Sequence, residues 1–123
     1  MVMGNTTIHD DVFREIVRIV LEEVEGVYFE EGKKALAPFW GDKATKPTIT
    51  IKWPTPDTES REQVSLEVRI AAHYGAAIPQ MVSAIRRESI ARIQAITGYE
   101  VLAVDVYITK LVRLENERRA ERP

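Results

Sequence analysis

Between residues 10 and 25, Val12, Phe13, Ile16, Val17, Val20, Leu21 and Val24 recur at steps of three and four, which gathers them on one face of a helix. Ile19 widens that stripe, while Arg14, Glu15, Arg18, Glu22 and Glu23 fall mostly opposite. Asp10 and Asp11 stand where unpaired N–H groups and the helix dipole favour acids. Gly26 follows as a natural left-handed stop. Thr6 to Ile8 reads as a short strand leading in, and Val27-Tyr28-Phe29 as a short strand leading out. Residues 31–47 have no clean period. They hold two Gly, two Pro and four Lys, with Phe39 and Trp40 side by side, and are expected to form a long loop. Long loops in small domains often carry function.

From Thr48 the period becomes two. Ile49, Ile51 and Trp53 share one side, and after a polar, proline-bearing turn Val64, Leu66, Val68, Ile70, Ala72 and Tyr74 do the same. Ser65, Glu67, Arg69 and His73 take the other side, and the two runs are expected to pair as a hairpin. Gly75 ends the second run, and Pro79 suits the first turn of a second helix. Ile78, Val82, Ile85, Ser89, Ile93 and Ile96 form its stripe, flanked by Met81 and Ile90, and Gly98 stops it. A last strand follows over Tyr99–Val112, with Leu102, Val104, Val106 and Ile108 inward. Strands with one apolar face and two amphipathic helices predict an α+β two-layer sandwich, order (β)αβββαβ. Its sheet is expected to be mainly antiparallel, three- or four-stranded, with both helices on one face. The strands flanking the second helix are either parallel neighbours or apart. Residues 1–112 form the single domain. Residues 113–123, seven of eleven charged, are expected to be a flexible tail.

Composition narrows the chemistry. The 123 residues are 45% hydrophobic and 29% charged, values of an ordinary globular chain. Seventeen basic side chains against nineteen acidic ones give a net charge of −2, which argues against a broad nucleic-acid-binding surface. With no cysteine, disulfides, thiolate metal sites and cysteine nucleophiles are excluded. No apolar run approaches the roughly 20 residues that span a bilayer. Residues 1–11 lack the pattern of a secretory signal and of N-myristoylation.

Tyr74-Gly75, then Ile78-Pro79, then Thr97-Gly98, then Val101 and Val104-Asp105-Val106, preceded by Gly4, Ile8, Val24 and Gly26-Val27, form an ordered set. It resembles the YloU-like alkaline shock protein family, the envelope stress response family of Gram-positive bacteria, over about residues 4–112. Ile96 and Asp105 depart from that family's commonest choices of Met and Asn, and the 31–47 loop is not part of its pattern. The resemblance implies a non-enzymatic cytoplasmic protein that self-associates and is held at the membrane, in some members, by a separate anchor protein. It supplies no catalytic residues, and Gly26, Gly75, Pro79 and Gly98 are explained as turn and cap positions.

Direct chemical signals are sparse. HExxH, GxSxG, GxGxxG and P-loop motifs are absent, and no cofactor or metal set is identified. His9-Asp10-Asp11 reads as a helix cap rather than a metal site. Glu67, Asp105 and His73 are the only basis for a small enzyme, and cross-strand pairing with Arg69 is the simpler account. The polar sheet face, with Arg69, His73 and Tyr107, is the candidate self-association surface. Phe39 and Trp40, and the basic helix positions Arg86, Arg87 and Arg92, are candidate partner contacts. The same helix and the sheet carry the alternative reading, a small RNA- or DNA-binding module, although the GxxG loop of a KH domain and the aromatic pair of an RRM are missing. The expectation is a homo-oligomer without direct membrane insertion, cytoplasmic and reaching the membrane through a partner, with nucleic acid not expected.

Overall fold

The computed structural model describes residue 4 and residues 6–29, 46–54 and 62–113. Phe39, Trp40 and the charged segment beyond Arg113 lie outside the described residues.

Helix α1 spans Asp10–Glu23 and buries Phe13, Ile16, Val17, Val20 and Leu21, the centre of the expected stripe, while Val12 and Ile19 at its margins are exposed. The cap is His9, whose Nδ1 accepts from the Asp11 N–H at 3.1 Å. Strand β1 is Val27–Tyr28, β2 is Thr48–Lys52 and β3 is Gln63–His73. Helix α2, Ile78–Thr97, carries Pro79 in its first turn and ends on Gly98 at φ +81°, a conformation glycine adopts without strain. Strand β4 closes the fold over Glu100–Val112.

β3 is the centre of the sheet. β4 pairs with it over its whole length, in parallel, so α2 is the crossover that parallel neighbours require. β1 and β2 pair with it antiparallel, at Ala71–Ala72 and at Ser65–Arg69. A strand has two edges and β4 fills one, so β1 and β2 lie end to end along the other. The hairpin is confirmed, and the open question about β4 resolves to parallel. Two of the three pairings are antiparallel.

Both helices cover one face. Val64, Leu66, Val68 and Ile70 of β3 meet Ile49 and Ile51 of β2, Val104 of β4, the α1 stripe, and Met81, Ile85 and Ile93 of α2. One end of this core is closed by three mutually edge-on rings. Phe13 lies 5.6 Å from Trp53 and 5.2 Å from Tyr99, which are 5.9 Å apart. The Trp53 indole N–H donates to Asp10 at 3.1 Å.

Four expectations are corrected. Thr6–Ile8 pairs with no strand among the described residues, and Ile8 reaches the core as a side chain only. Leu102 is half exposed and Val101 packs on the core instead. The register explains this: Val64 faces Val101 but Ser65 faces Ala103, so Leu102 is the extra residue of a bulge and the inward set changes parity there. Ile96 is exposed because the buried line of α2 runs through Met81, Ile85, Ser89 and Ile93 at steps of four. Tyr74 is exposed because β3 ends at His73.

Ser89 is fully buried and its hydroxyl has no hydrogen-bond partner among the described residues. An unpaired buried hydroxyl costs about 1–3 kcal/mol. Ser89→Ala is therefore expected to raise unfolding free energy by about 1 kcal/mol, whereas Phe13→Ala, at the junction of helix and ring cluster, lowers it by about 3–5 kcal/mol. Urea titration of the two variants beside the parent checks both signs.

Candidate functional site

Alternation, interrupted only at the β4 bulges among the described strands, sends every second strand residue away from the helices. On that outer face the register aligns Lys52, Ser65 and Ala103 in one row, Thr50, Glu67 and Asp105 in the next, and Thr48, Arg69 and Tyr107 in the third. No described helix or strand lies across this face. Glu67 is the hub. It receives Lys52 Nζ at 2.9 Å from the neighbouring strand and Arg69 Nη2 at 2.9 Å from two residues along its own. Its side chain is only 15% exposed. The hydrogen bond from Lys52 is the main cause holding the Glu67 carboxyl below its usual value. Desolvation opposes it and the Arg69 contact adds to it. The same pair raises Lys52. The Arg69 guanidinium also lies 4.4 Å over the Tyr107 ring, a cation–π contact across the β3–β4 ladder.

The face continues toward the other end of β3. Tyr28 pairs with Ala71, and its ring stands edge-on to His73 at 5.3 Å. Arg113 lies 4.9 Å over Tyr74. A second bulge, between Ile70 and Ala71, is filled by Thr109, whose hydroxyl donates to the Ile70 carbonyl at 3.1 Å. The face thus runs from Lys52 to His73, its polar positions separated by the buried Ala71 beside Tyr28.

The arginines singled out on α2 have separate surroundings. Arg86 Nε donates to the Val104 carbonyl of edge strand β4 at 3.0 Å. Arg92 bridges Glu23 of α1, at 2.6 Å, and Glu88, at 3.5 Å. The hydrogen bond to Arg92 is the main cause depressing Glu23 below the usual carboxylate range. Arg87 is exposed, 3.6 Å from Glu88. Arg14 on α1 mirrors Arg86: its Nε donates to the Ile49 carbonyl of β2 at 3.0 Å.

A groove of about 700 Å³ lies where the end of α1 meets the start of α2, between Val20, Glu23, Gly26, Gly75, Met81 and Arg92. Gly26 forms part of its floor. It holds φ +106°, and a Cβ there would stand 3.0 Å from the Met81 sulfur and 3.1 Å from the Ala76 methyl. The positive φ strains any other residue there, and a Cβ would also press on the Met81 and Ala76 side chains.

The residues that suggested catalysis do not converge. Glu67 and Asp105 are direct register partners, but six positions separate Glu67 from His73, about 20 Å along a strand. Among the described residues no three acidic or histidine side chains gather as a metal site. Among them, too, no helix is long and apolar enough to cross a membrane. Lys52 and Arg14 were not singled out from sequence. Alternation places Lys52 opposite Ser65 once the hairpin register is assumed, whereas nothing local signals the reach of Arg14 to β2.

A carboxyl held below its ordinary value adds stability above that value, 4.5 for Glu, and loses it as pH falls through the lowered one. Melting temperature followed from pH 7 to pH 3 is expected to fall less for Glu67→Gln than for the parent, with the two curves converging below pH 4.5.

No curated protein and no solved structure matches the chain. A family model does, over residues 1–113, and its description is a cell envelope-related function. That match spans nearly the whole chain and agrees with the Tyr-Gly, Ile-Pro, Thr-Gly and Val-Asp-Val order, so the chain belongs to the alkaline shock protein 23 family.

Proposed function

We propose that this chain is a non-enzymatic interaction protein of the cell envelope stress response. It assembles with copies of itself through the outer sheet face around Arg69, His73 and Tyr107, and a separate partner protein holds it at the membrane. The observation that carries this reading is the outer face itself. It is a continuous surface with a half-exposed Tyr107 ring under a guanidinium, and no described element lies over it. Tyr and Arg are the residue types that dominate interface energetics. The face is also balanced in sign, with Lys52 and Arg69 against Glu67 and Asp105. A surface that must meet its own copy about a two-fold axis gains from that balance, because a single-sign face would repel itself.

The helix side favours this over a nucleic-acid module. Arg86 is engaged with the Val104 carbonyl and Arg92 with two carboxylates, so the basic face expected of α2 is largely neutralised within the fold. Membrane attachment through a partner fits a chain whose described helices are both packed on the core.

Light scattering coupled to size exclusion, run as a concentration series with absorbance read at 260 and 280 nm, tests the reading. The expected result is a protein-only peak at a multiple of 14.0 kDa. Tyr107→Glu and Arg69→Glu should each weaken assembly by about tenfold or more, the effect of losing an interface anchor of about 1.4 kcal/mol or greater. The parent protein alone should not sediment with anionic vesicles. A monomer up to high micromolar concentration ends the proposal, and a monomer carrying excess 260 nm absorbance replaces it with nucleic-acid binding.

A further inference from the structure

Strands β1 and β2 share one edge of β3, and their registers fit together without a gap. Val27 faces Ala72 and Tyr28 faces Ala71. By the same count Phe29 falls opposite Ile70. The next β3 position, Arg69, is faced by Thr48, and the pairing then runs on to Lys52 opposite Ser65. Both strands run in the same direction along β3. The edge therefore resumes at the β3 position that follows directly on Phe29, although eighteen residues of chain, 30–47, intervene.

Facing agrees with register. Val27 is buried in the core, Tyr28 lies on the outer face against His73, and Phe29 packs on the core. Thr48 is exposed and Ile49 buried, and the alternation continues through Lys52. Read across the junction, Val27, Phe29, Ile49 and Ile51 are inward, while Tyr28, Thr48, Thr50 and Lys52 are outward. A strand cannot be re-entered at an arbitrary residue and keep this parity, since a slip of one position turns every side chain to the wrong face. Pro47 supplies a local reason for the break, because it has no N–H to give a ladder.

We propose that β1 and β2 are the two halves of a single edge strand, and that residues 30–47 are an insertion the fold does not need. Removing the insertion joins Phe29 to Thr48 with register and facing intact. The role of the segment is then something other than folding. Its midpoint in sequence falls at Pro38-Phe39, so the aromatic pair Phe39-Trp40 is the part most distant along the chain from both junctions. This inference is independent of self-association through the outer face.

Three full-chain variants test it: deletion of 30–47, replacement of 30–47 by a Gly/Ser segment of equal length, and the double change Phe39→Ala with Trp40→Ala. Thermal unfolding is read for all three, and cross-strand nuclear Overhauser contacts for the deletion. Closing a shorter loop costs less entropy, so the deletion variant is expected to melt cooperatively no more than about 5 °C below the parent, or above it. Its Phe29 should contact Ile70 and its Thr48 should contact Arg69. The double variant should also stay within about 5 °C of the parent. Failure of both the deletion and the Gly/Ser variant to fold would show that the segment supplies core structure and would overturn the proposal. Folding of the Gly/Ser variant alone, or a shifted register in the deletion variant, would overturn the single-strand claim. A larger loss in the double variant would place the two rings in the stabilising structure and equally overturn it.

Discussion

Everything in this fold is hung on β3, and β3 is possible only because its alternate side chains stay dry while both of its edges are paired. Val64, Leu66, Val68 and Ile70 are each fully buried. Eleven residues of backbone beside them must find partners within the protein. β4 satisfies one edge along its whole length, and doing so in parallel forces a crossover, which α2 supplies. The crossover lays Met81, Ile85 and Ile93 over the β3 side chains. α1 then fills the remaining width with the Phe13, Val17 and Leu21 stripe, and the ring cluster at Phe13 locks α1 to the ends of β2 and α2. No single helix here has to be stable alone, because each is specified by an apolar stripe that matches the exposed side of the same strand.

The same alternation makes the outer face. Positions that cannot face the core carry Lys52, Glu67, Arg69, Asp105 and Tyr107, and register brings them from three strands onto one surface. Glu67 is nearly shielded from water, so its two cationic neighbours do more than decorate the sheet. They keep its charge compensated where solvent alone would do so poorly. That holds Arg69 above Tyr107 with its guanidinium already oriented. In the proposed assembly, a side chain ordered beforehand would lose less conformational freedom on binding.

Much of this was legible in the sequence, and what was not has a common cause. Helix stripes, the hairpin, the stops at Gly75 and Gly98 and the opening at Pro79 all depend on neighbours within a few residues. They match the observed elements to within about two positions. Periodicity within β4 alone turns Leu102 inward, but a bulge depends on the partner strand: one extra residue between Val101 and Ala103 changes which side is inward, and nothing in the β4 segment alone announces it. The sequence does not say that Glu23 and the Val104 carbonyl stand beside the basic positions Arg92 and Arg86 of α2, because both contacts depend on how α2 packs. Parity alone places Arg69, His73 and Tyr107 on the outer face. Lys52, which completes the ion-pair cluster, needed the register between strands.

The two edge arginines bear on how copies of this domain can meet. An open sheet edge offers unpaired N–H and C=O groups to any other strand, and such edges are the usual route to uncontrolled polymerisation. Here Arg14 and Arg86 reach from the two helices to carbonyls on the two opposite edges, Ile49 on β2 and Val104 on β4. A strand docking at either place would have to displace a charge-assisted hydrogen bond and accommodate a guanidinium in its path. The inner face is filled by helices. Each edge is thus obstructed at one carbonyl, and among the described residues no helix or strand covers the outer face, through which self-assembly is proposed. The proposed assembly would stack sheets and leave both edges as they are, so the edge arginines would act against the competing edge-to-edge arrangement.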